Sequence, residues 1–181
     1  MKLRSAWGLG CILLCLAACV PPAQVKRDAA NPVVASKADQ LRLLTSPQAQ
    51  LAANKRLVYD MYRVIVQGGH AERVAEFFTE EYIQHNPNVA SGRDQLATFL
   101  RNSRPARPLE DHIVLPLLDI IAERDRVLVV NQRPETDATG ATYLTTWFDL
   151  YRIENGRIAE HWDPALKSAA MLKFDPNSTK R

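Results

Sequence analysis

The residues best suited to chemistry lie close together near the end of this 181-residue chain. Asp149 and His161 stand on either side of the turn signal Asn155-Gly156, within alternating apolar and polar residues. This pattern predicts a β-hairpin. A carboxyl and an imidazole that meet in a partly apolar cavity can move a proton to and from a bound molecule, because imidazole titrates near neutral pH. The alternative is a polar pair that only ties the hairpin together.

The register of this hairpin decides which side chains share a face. A two-residue turn would oppose Ile153 to Ile158, whereas a three-residue loop with a bulge at Gly156 would oppose Asp149 to His161. A slip of one residue exchanges the two faces. We favour the three-residue loop because it separates apolar from titratable side chains. The apolar set, suited to sheet packing or a dimer surface, is Phe148, Leu150, Ile158 and Trp162. The aromatic and titratable set, suited to a ligand cavity, is Tyr143, Trp147, Asp149, Tyr151, His161 and Asp163.

Helices followed by strands are predicted to hold this hairpin in place. Apolar residues recur at helical spacing between the cap signal Ser46-Pro47 and the stop signal Gly68-Gly69. We predict helices over residues 46–67, 72–78 and 91–100, and strands over residues 82–86, 112–122, 127–132, 143–153 and 157–163. Helices that precede an antiparallel sheet indicate a single α+β domain.

The first residues of the chain predict where the protein is found. Lys2 and Arg4 precede an apolar run that is too short to span a bilayer, as in a secretory signal peptide. The run ends in LAAC, which resembles the bacterial lipobox, where the cysteine is lipidated and becomes the first mature residue. Cys19 is therefore the predicted lipid anchor to the membrane. The alternative is an ordinary signal peptide cut near Ala18.

Four segments are predicted along the chain: a signal peptide (1–18), a lipidated tether (19–45), a folded domain (46–165) and a C-terminal tail (166–181). The tether is rich in proline and alanine. Its alternative is a helical extension packed on the domain. We expect the protein in the bacterial cell envelope. Val20, rather than an acidic residue, follows Cys19, which favours the periplasmic side of the outer membrane if the source is Gram-negative.

Composition argues against several classes of function. The net charge is +3, and removal of the leader would bring it closer to zero, so we expect no nucleic-acid partner. Two of the three cysteines lie in the leader, so no disulfide is expected within the mature chain. The four histidines show no spacing typical of a metal site, so we expect no metal.

Four segments in a fixed order carry a resemblance to a known family. They are VQGG at 66–69, YIQHNP at 82–87, SGRD at 91–94 and DLYRIENGRIAEHWD at 149–163. In this order they resemble the SnoaL-like branch of the NTF2-like superfamily, which includes polyketide cyclases and ketosteroid isomerases. The resemblance covers about residues 50–165. It implies a cone of three N-terminal helices packed against a strongly bent antiparallel sheet, with a pocket inside.

The resemblance also implies roles for individual residues. Tyr62 and Asp149 fall where ketosteroid isomerases keep the two donors of their oxyanion hole, Asp149 on the protonated aspartic acid. The isomerase general base corresponds to Asn86, and an amide cannot take a substrate proton. The polyketide cyclase-like relatives are therefore the better match. Many of these relatives place a further histidine on a strand where this chain has Val130-Asn131-Gln132.

For the cyclase-like relatives, the implied activity is a cofactor-free aldol-type condensation. Asp149 would be the acid–base residue and His161 its partner. The remaining predicted substrate-binding residues are Tyr62, His85, Asn86, Trp147 and Asp163. Trp147 has a core aromatic as its alternative, and Asn86 a turn-stabilising amide. The expected ligand is a small apolar carbonyl compound or a lipid-like molecule, and the expected state is a homodimer. The alternative function is a non-catalytic ligand-binding or assembly lipoprotein of the cell envelope.

Overall fold

The structure is a computed structural model that describes residues 35–169 and Asn177. The predicted signal peptide, the predicted lipid anchor Cys19 and most of the predicted tether lie outside these residues. Among the described residues, no helix is both long and apolar enough to cross a membrane.

Within residues 35–169, four α-helices form the helical part of the domain. They are α1 (Lys37–Leu43), α2 (Ala49–Met61), α3 (Val74–Phe77) and α4 (Arg93–Ser103). A π-helical turn, Tyr62–Gln67, continues α2, and a 3₁₀ turn, Ala71–Arg73, precedes α3. Gly69 ends the first predicted helix because its φ of +69° is unfavourable for other residues. The sequence analysis predicted three helices, and α1 is the additional one.

The described part of the chain has five strands, which form one sheet. They are β1 (Phe78–Gln84), β2 (Leu117–Glu123), β3 (Arg126–Thr136), β4 (Thr142–Glu154) and β5 (Arg157–Trp162). Their order across the sheet is β1-β5-β4-β3-β2. Strand β1 runs parallel to β5, whereas the other neighbours are antiparallel. The expectation of a purely antiparallel sheet was therefore wrong at this one edge.

Alternating burial distinguishes the two faces of the sheet. On β3, Val127 and Val129 are fully buried, whereas Leu128 and Val130 are partly exposed. We call the buried side the inner face, which packs against α2 and carries the core, and the other side the outer face. This alternation is typical of a sheet that is covered on one side only.

The turn of the β4–β5 hairpin differs from the favoured prediction. Glu154 pairs with Arg157, so the turn contains only Asn155 and Gly156. Both have positive φ, 50° and 72°, which defines a type I′ turn. The prediction of a three-residue loop was therefore wrong.

A β-bulge after this turn restores the predicted arrangement, in which Asp149 and His161 share one face of the sheet. The register shifts by one residue near the turn, so that Tyr151, rather than Asp149, pairs with His161. Because the extra residue on β5 offsets the shorter turn, Asp149 and His161 still lie on the same face. Ile158 precedes the bulge and is fully buried in the core. Its predicted place with the apolar residues of the other face was wrong.

Helix α1 lies within the predicted tether but packs on the domain. Its residue Gln40 is fully buried, and its amide nitrogen donates to the Ile113 carbonyl at 2.6 Å. The amide oxygen accepts from the Ile113 backbone N–H at 3.0 Å and from the Tyr59 hydroxyl at 2.8 Å. A polar side chain can be buried at little cost when its polar atoms are paired. Helix α1 is therefore packed on the helices and strands that follow it.

Candidate active site

Asp149 and His161 meet on the inner face of the sheet. His161 Nε2 lies 2.9 Å from Asp149 Oδ1, and each residue is only 8% exposed. An imidazole nitrogen and a carboxyl oxygen at this distance must share a hydrogen, because two lone pairs would repel each other. The pair therefore holds one proton that either residue can carry.

Two further donors converge on the Asp149 carboxyl. Tyr62 donates its hydroxyl hydrogen to Oδ2 at 2.5 Å, and Trp147 donates its indole N–H to Oδ1 at 3.3 Å. Tyr62 is the first residue of the π-helical turn, a distortion that is frequent at functional sites. Trp147 lies two residues before Asp149 on β4 and so shares its face. Three side chains, including His161, thus hold the carboxyl in one orientation.

Gln84 determines where the His161 ring carries its fixed hydrogen. Gln84 Oε1 accepts from the backbone N–H of Asn86 at 3.0 Å, which identifies it as the carbonyl oxygen of the amide. His161 Nδ1 lies 3.0 Å from the same oxygen. Since a carbonyl oxygen can only accept, Nδ1 carries a hydrogen and donates it. Nε2 is therefore the atom that exchanges a proton with Asp149.

Buried tyrosines surround this pair. Burial, to which the charge of Asp149 adds, raises the pKa of Tyr62 well above its ordinary value. Burial likewise raises the pKa of Tyr151, and the nearby Tyr62 and Asp149 raise it further. The Tyr151 ring stacks on His161 with the ring centres 4.6 Å apart. Both hydroxyls therefore stay protonated near neutral pH, and both remain hydrogen-bond donors.

Asn86 and Asp163 form a second polar pair. Asn86 Nδ2 donates to Asp163 Oδ2 at 2.7 Å, and both residues line the same cavity as Asp149. Asn86 Oδ1 accepts from the backbone N–H of Asn88 at 2.9 Å, so Asn86 also stabilises the turn after β1. Among the described residues, the second hydrogen of the Asn86 amide has no acceptor.

His85 lies away from the cavity. Its Nε2 is 3.0 Å from a carboxyl oxygen of Glu160, and its ring stacks on Trp162 with the ring centres 4.5 Å apart. Neighbouring residues of an extended chain point to opposite sides, and the preceding Gln84 points inward. The structure therefore does not bring His85 together with the other predicted substrate-binding residues.

A cavity of about 1100 Å³ is lined by the polar residues of the site, including Tyr62, Asn86, Asp149, His161 and Asp163. Trp147 forms part of its lining. Other apolar lining residues are Met61, Ile65, Phe78, Val89, Leu96 and Leu100. An apolar wall with a few convergent polar groups is typical of sites for small molecules.

Three cavity side chains are also close enough together to hold a metal ion. Potential ligand atoms of Asp149, His161 and Asp163 all lie within 4.8 Å of one another. His161 would offer Nε2, because Nδ1 donates to Gln84, as is common in metal-binding histidines. A metal ion there would displace the hydrogen that Asp149 and His161 share. Sequence spacing did not indicate this cluster, because Asp149 lies on β4, His161 lies on β5 and Asp163 directly follows β5.

Sequence reasoning missed two polar residues of the site. Gln84 could have been found from the strand alternation, which places it on the same side as the buried Tyr82. Asn131, on β3, is 9% exposed and donates its Nδ2 to the Tyr62 hydroxyl at 3.4 Å. No pattern in the sequence marks Asn131 as a site residue.

Comparison with known families identifies the class of protein. The sequence matches the SnoaL-like polyketide cyclase family over residues 56–172, more than half of the chain. The chain therefore belongs to this family. Its four helices and five-stranded sheet agree with the α+β NTF2-like fold that the resemblance implied. Membership of the family points to a ligand-binding or cyclase function.

Comparison with individual proteins adds structural neighbours. No curated protein matches the sequence significantly. TsrD from Streptomyces laurentii shows 22% identity and a TM-score of 0.42, over 62% of this chain and 87% of that chain. An NTF2-like protein of unknown function from Burkholderia pseudomallei shows 17% identity and a TM-score of 0.45, over 61% and 88%. An LEH-like epoxide hydrolase from M. tuberculosis shows 16% identity and a TM-score of 0.45, over 61% and 80%.

Proposed function

We propose that this chain binds a small apolar carbonyl compound in its cavity and catalyses cofactor-free acid–base chemistry of the aldol type on it. One observation carries the proposal: the Asp149 carboxyl and the His161 imidazole share a hydrogen at 2.9 Å inside a largely apolar cavity. A proton acceptor held beside an apolar binding wall is what the removal of a proton from carbon requires.

The proposed reaction begins when the Asp149–His161 pair removes a proton from the carbon next to the substrate carbonyl. The electrons of that C–H bond form an enolate. The enolate carbon then bonds to a second carbonyl carbon, whose oxygen becomes an alkoxide and takes the proton back from the pair. The spare hydrogen of the Asn86 amide is a donor for a substrate carbonyl oxygen. The sequence is balanced without any oxidant or reductant.

Two probes test this chemistry without knowledge of the natural substrate. Benzylacetone in D₂O reports proton removal, because deuterium enters next to its carbonyl and is followed by NMR. The aldol adduct of acetone and benzaldehyde reports C–C bond cleavage, because it releases benzaldehyde. We expect Asp149→Asn and His161→Gln each to lower the rate of both reactions by about a hundredfold or more.

A matched substitution controls for general effects on the fold. His85→Gln replaces the histidine that lies away from the cavity, and we expect it to stay within about twofold of the unchanged protein. Wild-type rates in Asp149→Asn would contradict the acid–base role of Asp149.

The second candidate is a binding protein without a reaction. It is favoured by the fact that several polar groups of the site already pair with one another: Tyr62 with Asp149, His161 with Gln84, and Asn86 with Asp163. Under this alternative, benzylacetone binds to the wild type, as seen by NMR, but gains no deuterium above the buffer rate.

We propose two further properties at the level of the whole protein. Lipid on Cys19 would anchor the domain to the cell envelope, on the periplasmic side of the outer membrane if the source is Gram-negative. A homodimer would form through the outer face of the sheet. The support for this surface is the exposure of Phe148 and Ile121, which are 47% and 49% exposed.

A further inference from the structure

One buried polar atom of the cavity has no partner among the residues that the structure describes. It is Oδ1 of Asn131, which lines the cavity beside Tyr62 and is the side-chain oxygen of a residue only 9% exposed. Asn131 pairs with Trp147 across β3 and β4, so the strands hold it firmly in place. An unpaired carbonyl oxygen that is shielded from solvent destabilises a fold and calls for an explanation.

The orientation of the Asn131 amide follows from its neighbours. Tyr62 uses its single hydroxyl hydrogen on Asp149, at 2.5 Å, so its oxygen can only accept further hydrogen bonds. Asn131 must therefore present its NH₂ group to Tyr62, as the 3.4 Å contact shows. A rotated amide would place its oxygen against another acceptor. Oδ1 consequently keeps its direction, and its acceptor capacity is unused among the described residues.

We propose that Asn131 Oδ1 accepts a hydrogen bond from a hydroxyl group of the substrate, so that the cavity prefers a hydroxy-carbonyl compound to a simple ketone. The inference rests on the proposed function and deepens it. Aldol chemistry creates or consumes a hydroxyl group close to a carbonyl. Asn131 and Asp149 both contact the same Tyr62 oxygen, so the two side chains lie within the span of one small molecule.

A neutral hydroxyl fits this position better than an ammonium group, which could also donate. Three arginines line the cavity: Arg104, Arg107 and Arg133. Arg133 is paired with Glu135 at 2.6 Å, whereas no ion pair is recorded for the other two within the described part of the chain. The carboxylates Asp149 and Asp163 also line the cavity, but each already accepts hydrogen bonds from neighbouring side chains. The charge of Arg104 and Arg107 therefore opposes a cationic ligand. The apolar wall also favours an uncharged molecule.

Matched ligands test the inference by binding alone. The aldol adduct of acetone and benzaldehyde differs from benzylacetone only by a hydroxyl group, and the corresponding amino ketone carries an ammonium group in its place. We expect the wild type to bind the hydroxy ketone about tenfold more tightly than benzylacetone, as measured by calorimetry. We expect the amino ketone to bind more weakly than the hydroxy ketone.

Two variants connect this preference to Asn131. Asn131→Leu removes the acceptor while keeping the size of the side chain, and we expect it to bind the two ketones with affinities equal within about twofold. Asn131→Asp keeps an acceptor oxygen, and we expect it to retain the preference. Thermal unfolding gives a separate readout: Asn131→Leu should unfold no earlier than the wild type, because it removes an unpaired buried oxygen.

Several results would overturn the inference. They are equal binding of the two ketones by the wild type, a preference that persists in Asn131→Leu, or tightest binding of the amino ketone. Asp149→Asn separates this test from that of the proposed function, because it should lose turnover yet keep the hydroxyl preference. A wild type that shows the preference without any turnover would support the Asn131 site and contradict the proposed catalysis.

Discussion

At the scale of single residues, the site depends on hydrogen bonds that assign each donor and acceptor. The hydrogen on His161 Nδ1 is fixed because Gln84 offers only its carbonyl oxygen, and that oxygen is identified by the Asn86 backbone N–H. Gln84 thus acts on the reaction through His161 and is a positioning residue. The same bonds would fix the ring if His161 only bound a ligand.

Substitution of Gln84 tests this positioning role. Gln84→Leu removes the acceptor, so we expect His161 to populate both neutral tautomers and the rate of deuterium exchange to fall by about tenfold or more. Nitrogen NMR of the His161 ring reports the tautomer directly. Gln84→Glu restores an acceptor and adds a negative charge that favours the imidazolium form, so activity should return with a pH profile shifted upward. An unchanged tautomer in Gln84→Leu would contradict the role.

Several site residues could be predicted from the sequence, and the reason lies in strand alternation. The even spacing of Trp147, Asp149 and Tyr151 places them on one face whatever the turn does. The contact of Tyr62 with Asp149 depends on the packing of a helix across the sheet, and only the family resemblance indicated it. His85 was predicted to lie in the cavity, but only one of two neighbouring residues of an extended chain can point inward, and here that residue is Gln84.

At the scale of elements, the β4–β5 hairpin brings Asp149 and His161 to one face, as predicted, through a turn and a bulge that the sequence did not indicate. Asn155-Gly156 suits both turn lengths, so local residue preferences left the choice open. Core packing of Ile158 against the inner face favours the shorter turn, and the bulge then returns His161 to the cavity side. The turn is one residue shorter than predicted, and the bulge adds one residue on β5, so the two differences cancel. The face on which His161 lies was therefore predicted correctly, but its pairing partner on β4 was not.

Gly156→Ala tests the turn separately from the site. Gly156 has a φ of +72° and open space around it, so alanine meets no clash but does meet backbone strain. We expect a loss of about 1 kcal/mol in the free energy of unfolding, measured with urea, and unchanged ligand binding. Gly140→Ala is the matched control, since Gly140 has a φ of +87° and equally open surroundings. A loss of binding in Gly156→Ala alone would show that the turn, rather than the bulge, holds His161.

At the scale of the whole molecule, the helices within residues 35–169 cover one face of the sheet. Helix α1 extends this cover, since the fully buried Gln40 ties it to the segment at Ile113. The sequence predicted an α+β domain because helical periodicity and strand alternation are local signals. The docking of α1 and the parallel pairing of β1 with β5 are long-range contacts, and single-chain patterns do not indicate them.

The outer face, which no helix of the described part of the chain covers, leads to a prediction about assembly. Phe148 and Ile121 remain about half exposed there, next to the partly buried Leu150. If two copies pair through this face, sedimentation of the wild type should give the mass of a dimer, and Phe148→Glu should give that of a monomer, because a carboxylate would be buried without a partner. Leu41→Glu is the control, since Leu41 is also a partly exposed apolar residue but lies on α1. A monomeric wild type, or a dimer that persists in Phe148→Glu, would contradict the proposed interface, whereas the Asp149–His161 site lies within one chain and would stand.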